Sequence, residues 1–332
     1  MPCRIEKIEF FLPEKILDNR QLEREFPEWS ADKIEQKIGI RERHIASDNE
    51  TAMDLAFETA KKALANYDKS KIDFLLLCTQ SPDYYLPTTA CILQDKLQLR
   101  TDIGALDFNL GCSGYIYGLA LSKGLINTGI ANNVLLLMAE TYSKHIHPRD
   151  RANRSIFGDG AAATIIAKSE IETIFEFELG TDGAGRDNLI VCCGGLRKRY
   201  DPNEQVVVDE SGSVKSDNYL FMNGPEIFNF TIEKVPLLVD KTLKKNNMVW
   251  DDVNYVIFHQ ANKYMLNYLR KKMKIPEEKF YINLESTGNT VSATIPIALK
   301  DCLDRRIVKQ GDRVLLVGFG VGYSWGAVII QI

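Results

Sequence analysis

Short apolar runs that recur at a fixed distance are the strongest constraint on how this chain can fold. Residues 72–80 resemble residues 253–260, and residues 133–138 resemble residues 313–318, in both cases about 180 positions later. A short, continuously apolar run is typical of a β-strand that is buried on both faces of a sheet. We therefore expect the 332-residue chain to contain one core unit twice.

Segments with helical periodicity lie between these runs. Residues 51–67, 113–129 and 291–303 carry apolar side chains at helical spacing. Strands that alternate with helices predict an α/β fold built of layers. We expect residues 1–175 to form the first half of the duplicated core and residues 176–332 to form the second.

The middle of the chain has a different character. Residues 180–223 contain several glycines among charged side chains and show no periodicity, which predicts irregular structure that bridges the two halves. A helix is expected to begin at Pro225, because proline is favoured at the first helical position.

Composition excludes several classes of protein. A net charge of −4 gives no general attraction for nucleic acid or an anionic membrane. The chain has neither an N-terminal apolar signal segment nor a run of about 18 apolar residues, so we expect a soluble cytoplasmic protein. Its seven cysteines are an odd number without C-x-x-C spacing, which favours reduced thiols over disulfides or a metal site.

One of these cysteines has the context of a nucleophile. The segment from Asp107 to Tyr115 is predicted to lead from a strand through a turn of small residues into a helix, with Cys112 near the first helical turn. The N–H groups and the dipole at a helix N-terminus favour a thiolate, so we expect the pKa of Cys112 to lie below about 8.5. The alternative is a buried structural cysteine.

Candidate partners for this cysteine are few. Of the four histidines, three lie in polar segments typical of structural or surface positions: His44, His145 and His147. His259 ends a strand-like run, where sites form in α/β sheets, and Asn289 follows a glycine in a turn before a helix, a position also typical of a cap. Because Cys112, His259 and Asn289 each lie at a strand-to-helix junction, we expect them on a common face.

The glycine-rich segment 318–326 lacks the context of a dinucleotide site, because a strand-like run rather than a helix follows it. A glycine loop between two strands can instead present backbone N–H groups to an oxyanion.

From Ile5 to Ile332 the chain resembles the β-ketoacyl-acyl-carrier-protein synthase III family. The motifs that carry this resemblance, in the family's order and approximate spacing, are GIRERHI (39–45), GCSG (111–114), FGDGA (157–161), HQAN (259–262) and GNT (288–290). The resemblance implies a thiolase-like duplicated core in five layers, αβαβα. It also implies decarboxylative condensation of an acyl-coenzyme A primer with malonyl-acyl-carrier protein by a homodimer, without metal or cofactor.

The resemblance also implies roles for individual residues. Cys112 would carry the acyl group, His259 and Asn289 would bind the malonyl thioester carbonyl, and the backbone N–H groups of Cys112 and Val321 would form the oxyanion hole. The implied substrate contacts are Lys37, Leu86, Arg151, Gly224, Phe228 and Phe319. Carrier-protein docking is implied for Lys263, Arg270 and Lys271.

The chain departs from the family pattern at several of these positions. Lys33 and Lys37 stand where the family commonly has a tryptophan and an arginine that enclose the adenine of coenzyme A. The other replacements are Pro225 for an asparagine, Tyr264 for a docking arginine and Val321 for a loop glycine. Leu86 stands where the family has a large residue that crosses the dimer interface and limits acyl length.

Three other functions remain open at this point. The departures at the coenzyme A site motivate an acyltransferase that passes the acyl group from Cys112 to a hydroxyl or amine in specialised or glycan metabolism. A non-catalytic partner subunit of a synthase would be expected to lack the nucleophile. A papain-like hydrolase would need cysteine, histidine and asparagine in another architecture.

Overall fold

A computed structural model describes residues 1–210, 212 and 214–332. The α-helices of these residues are α1 (Asn19–Glu25), α2 (Ala31–Ile38), α3 (Ala52–Leu64), α4 (Thr89–Lys96), α5 (Gly114–Asn127), α6 (Arg151–Ile156), α7 (Gly224–Lys245), α8 (Lys263–Lys272) and α9 (Thr294–Asp304). None of the helices in this part of the chain is long and apolar enough to cross a bilayer.

The β-strands of the same residues are β1 (Cys3–Phe11), β2 (Ile16–Asp18), β3 (Glu42–His44), β4 (Phe74–Cys78), β5 (Gly104–Phe108), β6 (Asn133–Glu140), β7 (Gly160–Lys168), β8 (Glu178–Thr181), β9 (Leu189–Ile190), β10 (Val207–Val208), β11 (Val214–Lys215), β12 (Phe221–Met222), β13 (Tyr255–Phe258), β14 (Phe280–Tyr281), β15 (Arg313–Gly320) and β16 (Ser324–Gln331).

Two five-stranded sheets have the same topology. The first has the order β1-β7-β6-β4-β5 and the second has the order β8-β16-β15-β13-β14. β4 runs parallel to β5 and β6, as β13 runs parallel to β14 and β15. The next two strands in each sheet, β7 and β1 or β16 and β8, are antiparallel to their neighbours. The predicted duplication is therefore confirmed.

The helices repeat in the same way and complete the layers. In the first half α3 precedes β4, α4 connects β4 to β5 and α5 follows β5, and α7, α8 and α9 hold the same places around β13 and β14. α3 and α4 cover one sheet, α7 and α8 cover the other, and α5 and α9 lie in the apolar layer between the sheets. This is the predicted five-layer αβαβα arrangement.

The irregular middle segment is placed differently from the expectation. In the described part of residues 180–223, each strand after β8 has two residues, and a 3₁₀ helix spans Gly183–Asn188. Because β8 is already part of the second sheet, this segment is an insertion within the second half in chain order. It still contacts the first half, since the backbone N–H of Leu220 donates to the carbonyl of His145 at 2.7 Å.

The predicted boundary between the two halves, at residues 175/176, falls between β7 and β8. This boundary stays a prediction. After the irregular segment, α7 begins at Gly224, with Pro225 in its first turn as predicted.

The two halves pack closely where β15 passes the residues just before α5. A Cβ atom at Gly318 would lie 2.8 Å from the Cα atom of Ser113 and 3.0 Å from the carbonyl oxygen of Cys112. A Cβ atom at Gly320 would lie 2.8 Å from Cβ of Cys112. Glycine at these two positions therefore allows the second half to pack directly on the cysteine backbone.

Replacing Gly318 with alanine tests this contact. The added methyl group has no room, so we expect the free energy of unfolding to fall by about 1–3 kcal/mol. Gly124→Ala in α5 is the control, because a Cβ atom there meets nothing within 4 Å, and removing a helical glycine adds up to about 1 kcal/mol. Urea unfolding measures both variants, and equal stabilities would contradict the close contact.

Candidate active site

Cys112 lies in the short turn between β5 and α5, two residues before the helix begins. Its side chain is 6% exposed and belongs to an apolar cluster that includes Tyr142, Phe157 and Val291. Tyr142 and Phe157 come from the first half and Val291 from the second. The sulfur is therefore placed where side chains of both halves converge.

The electrostatic expectation for Cys112 was wrong. Burial, followed by the neighbouring charge of Glu140, raises the pKa of Cys112 to about 12. The helix N-terminus is outweighed because the thiol is almost completely removed from water and its charged neighbour is a carboxyl group rather than a cation. The thiol must therefore give its proton to a base when it reacts.

His259 is the predicted partner of that thiol. It directly follows β13, its backbone N–H donates to the carbonyl of Val317 at 2.8 Å, and its side chain is 2% exposed. Burial lowers the pKa of the imidazole to about 3, so the ring is neutral at physiological pH. A neutral imidazole can accept a proton.

One hydroxyl group orients the imidazole ring. Thr294 Oγ1 donates to the carbonyl of Val291 at 3.0 Å and lies 2.8 Å from His259 Nδ1. Because its hydrogen points at Val291, Thr294 accepts from the Nδ1–H group in this arrangement. The lone pair of the ring is then on Nε2, which is the basic atom.

Hydrogen bonds also orient Asn289. Its Oδ1 atom accepts from the backbone N–H of Val291 at 2.9 Å, which leaves the Nδ2 hydrogens as donors. Its backbone N–H donates to the carbonyl of Ile156 at 2.9 Å, and its carbonyl accepts from Gly158 at 3.0 Å. These two bonds tie the Asn289 turn of the second half to the first half.

Val291 is the common neighbour of the three candidate residues. Its N–H group donates to Asn289, and its side chain packs in the apolar cluster of Cys112. Its carbonyl accepts from Thr294, the residue that contacts the His259 ring. Its φ of 56° is unfavourable for a β-branched residue and costs on the order of 1–3 kcal/mol. The structure thus brings the predicted set together around one strained residue.

The loop predicted to supply an oxyanion donor also lies at this point. β15 and β16 form a hairpin, and its turn contacts the cysteine loop, because a Cβ atom at Gly111 would lie 2.6 Å from Cγ1 of Val321. The use of the N–H groups of Cys112 and Val321 as an oxyanion hole stays a prediction. The predicted contact Phe319 is 2% exposed, and its ring meets the His259 imidazole edge-to-face at 5.6 Å.

The other predicted substrate contacts lie farther out. Phe228 on α7 packs against Tyr264 and Tyr268 of α8, with ring centroids 5.8 Å and 5.1 Å apart. Gly224 is exposed at the first position of α7. Leu86 is 83% exposed in a loop of the first half, so it contacts little within its own chain.

An aromatic ring lies beside two of the implied coenzyme A contacts. Trp29, just before α2, is close to both Lys37 and Arg151. Lys37 Nζ lies 4.9 Å from the Trp29 ring centroid, and the Arg151 guanidinium lies 5.7 Å from it. A tryptophan and an arginine therefore lie together here, and the positions of Lys33 and Lys37 in the coenzyme A site stay a prediction.

The candidate docking residues divide into two groups. Lys263 and Lys271 line a cleft of about 610 Å³ between α2 and α8, together with Lys37. Arg270 is different, because its side chain is 15% exposed and pairs with Glu277 at 3.2 Å. Of the three residues predicted to dock a carrier protein, two therefore present their charge to this cleft.

The cysteines form no disulfide bond among the described residues. All seven lie in the described part of the chain, and each is free. In that same part, no group of three or more His, Cys, Asp or Glu side chains is arranged to hold a metal ion.

The fold and the site define a thiolase-like α/β protein, in which a cysteine of one half meets a histidine and an asparagine of the other. Residues 106–183 match the family described as 3-oxoacyl-[acyl-carrier-protein (ACP)] synthase III, and residues 243–332 match its C-terminal part. The beta-ketoacyl-[acyl-carrier-protein] synthase III of Clostridium perfringens (strain 13 / Type A) is 38% identical over 325 residues, 97% of each chain. The chain belongs to the β-ketoacyl-acyl-carrier-protein synthase III family.

Solved structures agree with this assignment. A crystal structure of a 3-oxoacyl-(acyl-carrier-protein) synthase III is 47% identical, has a TM-score of 0.98 and covers 100% of both chains. A 3-oxoacyl-(acyl-carrier protein) synthase from Burkholderia xenovorans LB400 is 38% identical with a TM-score of 0.92, and the match covers 100% of this chain and 94% of that one.

The low pKa of His259 predicts how stability depends on pH. The unfolded chain takes up a proton on this residue near pH 6.5, whereas the folded chain does so only near pH 3. The stability contributed by the neutral ring is therefore fully present above pH 6.5 and is lost as the pH falls towards 3, by about 1.4 kcal/mol per pH unit.

We expect His259→Asn to lose less stability than the wild type when the pH is lowered from about 7 to about 5. His147→Asn is the control, because that ring is much less buried and its substitution changes the slope less. Urea unfolding at a series of pH values measures the slopes. Parallel curves for wild type and His259→Asn would contradict a buried neutral ring.

Proposed function

We propose that the protein catalyses the decarboxylative condensation of an acyl-coenzyme A primer with malonyl-acyl-carrier protein through an acyl-Cys112 thioester. The observation that carries this proposal is the neutral imidazole and the oriented carboxamide that meet a buried thiol around Val291. The names of the relatives support the same substrates.

In the first half-reaction Cys112 attacks the thioester carbonyl of the primer. His259 takes the thiol proton at Nε2, and the carbon–sulfur bond to coenzyme A breaks as the new thioester forms. The proton then passes to the leaving coenzyme A thiolate, because burial disfavours an isolated imidazolium. This returns His259 to its neutral form before the second substrate enters.

In the second half-reaction the malonyl thioester loses carbon dioxide, and the bonding electrons form an enolate. Asn289 donates through Nδ2. His259 donates through Nε2 after its Nδ1 proton is lost to solvent and one proton is taken up at Nε2, with the Thr294 hydroxyl turning from Val291 to donate to Nδ1. Donors fixed in a dry site are worth about 10²–10³ in rate each. The enolate carbon attacks the acyl thioester, and the Cys112 thiolate that leaves takes a proton from solvent.

The residues around Trp29 support coenzyme A as the donor. A purine can stack on the indole ring, beside the cations of Lys37 and Arg151, of which Arg151 also pairs with Glu28. An aromatic ring at this place weakens the argument for the acyltransferase alternative, which rested on the departure at Lys33. The intact Cys112 argues against a non-catalytic partner subunit.

Surface features support the remaining partners. The cleft between α2 and α8 is lined by Lys37, Lys263 and Lys271 and by the carboxylates of Asp32 and Glu35, and Glu35 also pairs with Arg41. The remaining positive charge suits the acidic surface of a carrier protein. We also propose a homodimer, because the exposed Leu86 and the edge strand β5 offer unpaired apolar and backbone groups. The proposed chemistry requires no metal or redox cofactor, and the site of action would be the cytoplasm.

Intact mass spectrometry tests the first half-reaction. The protein is mixed with a panel of acyl-coenzyme A thioesters that differ in chain length and branching. We expect one acyl adduct per chain with the preferred primers, absent from Cys112→Ala and unchanged in Cys302→Ala, a matched control at another buried thiol. An adduct that persists in Cys112→Ala, or no adduct with any thioester, would overturn the proposal.

A further inference from the structure

Glu140 is a completely buried carboxyl group that the proposed chemistry does not use. It ends β6, and both carboxyl oxygens accept from the backbone N–H of Gln80, at 3.0 Å and 3.1 Å. The hydroxyl groups of Ser81 and Ser292 donate to it at 3.1 Å and 3.3 Å. A carboxyl group with this many donors has a fixed position and orientation.

These bonds connect both sides of the site. Gln80 and Ser81 follow β4 in the first half, whereas Ser292 belongs to the 3₁₀ turn Val291–Ala293 of the second half, directly after the Asn289 turn. The side chain of Gln80 donates to Asn109 at 3.1 Å, in the loop that leads to Cys112. Glu140 thus lies between the nucleophile loop and the segment that carries its partners.

The titratable groups that face Glu140 come from every element packed against it. They are Cys78, Cys112, Tyr142 and Asp159, together with His145, whose Nε2 atom lies 3.3 Å from Ser81 Oγ. Burial lowers the pKa of His145, so this ring supplies no positive charge at neutral pH. A charge on Glu140 would therefore act on the Cys112 sulfur without a compensating cation among the described neighbours.

We propose that Glu140 is a positioning residue for the nucleophile, which joins the Cys112 loop to the Asn289 segment and controls by its charge how readily the thiol ionises. This inference rests on the proposed role of Cys112. A neutral Glu140 allows the thiolate to form, and an ionised Glu140 opposes it. Ser81 and the partly exposed His145 connect the carboxyl group towards the surface, where it can exchange its proton.

Burial raises the pKa of Glu140 to about 8, which places this change within an accessible pH range. Below that pH the rate of Cys112 alkylation should rise with pH as the thiolate fraction grows. Near pH 8 the new carboxylate opposes the thiolate, so the curve should flatten before it rises again. The expected signature is a shoulder in the profile.

Peptide-resolved mass spectrometry of iodoacetamide labelling, from about pH 6.5 to about 9.5, measures this profile for Cys112 alone. We expect Glu140→Gln to lack the shoulder and to react on the order of tenfold faster than wild type at pH 9, which corresponds to one pKa unit. Asp159→Asn is the matched control, because it removes a nearby buried carboxyl group but leaves Glu140 in place. Since the charge of Asp159 raises the pKa of Glu140, this variant should keep the shoulder and show it at a lower pH.

Superimposable profiles of wild type and Glu140→Gln would overturn the proposal, as would loss of the shoulder in Asp159→Asn. If Glu140→Gln does not fold, the wild-type profile decides, and a straight line through pH 8 rejects the charge effect. Ser292→Ala tests positioning: we expect a lower kcat, an unchanged KM for the primer and a retained shoulder. A shoulder in a protein that shows no condensation would uphold this inference and reject the proposed function.

Discussion

The contact between β15 and the backbone of Cys112 is the constraint on which the rest of the site depends. Gly318 and Gly320 let a strand of the second half lie against the first turn of α5, where any larger residue would collide with the cysteine. This brings the end of β13 and the turn before α9 to the nucleophile. The duplicated core therefore has a functional consequence, since each half supplies part of one site and neither half contains all of it.

Burial determines the chemistry of the groups that meet there. It holds the Cys112 thiol, the His259 imidazole and the Glu140 carboxyl group in their neutral forms near neutral pH. A site of neutral groups suits a reaction in which negative charge develops only in transition states and intermediates. Fixed hydrogen-bond donors then stabilise that charge without competition from water. The strained backbone of Val291 is part of this arrangement, since it directs bonds to both Asn289 and Thr294.

Much of the fold could be predicted from the sequence, because buried strands leave continuous apolar runs and the duplication repeats them. Cys112, His259 and Asn289 were also recognisable, since each lies next to such a run and within a family motif. The pKa of Cys112 could not be predicted, because it depends on burial by distant segments. Trp29 could not be singled out, because it lies outside the family motifs and its contacts with Lys37 and Arg151 arise only in the folded chain. Glu140, a charge at the end of a buried run, did give a signal in the sequence.

A single-turnover experiment tests the central claim, that both halves act on one thioester. Cys112 is loaded with a labelled acyl group, free coenzyme A is removed, and malonyl-acyl-carrier protein is added. The account predicts one carbon dioxide and one β-ketoacyl product for each acyl group consumed, and an Asn289→Ala protein that keeps its acyl group but releases far less carbon dioxide. Transfer of the acyl group to water, a hydroxyl or an amine without carbon dioxide release would contradict it.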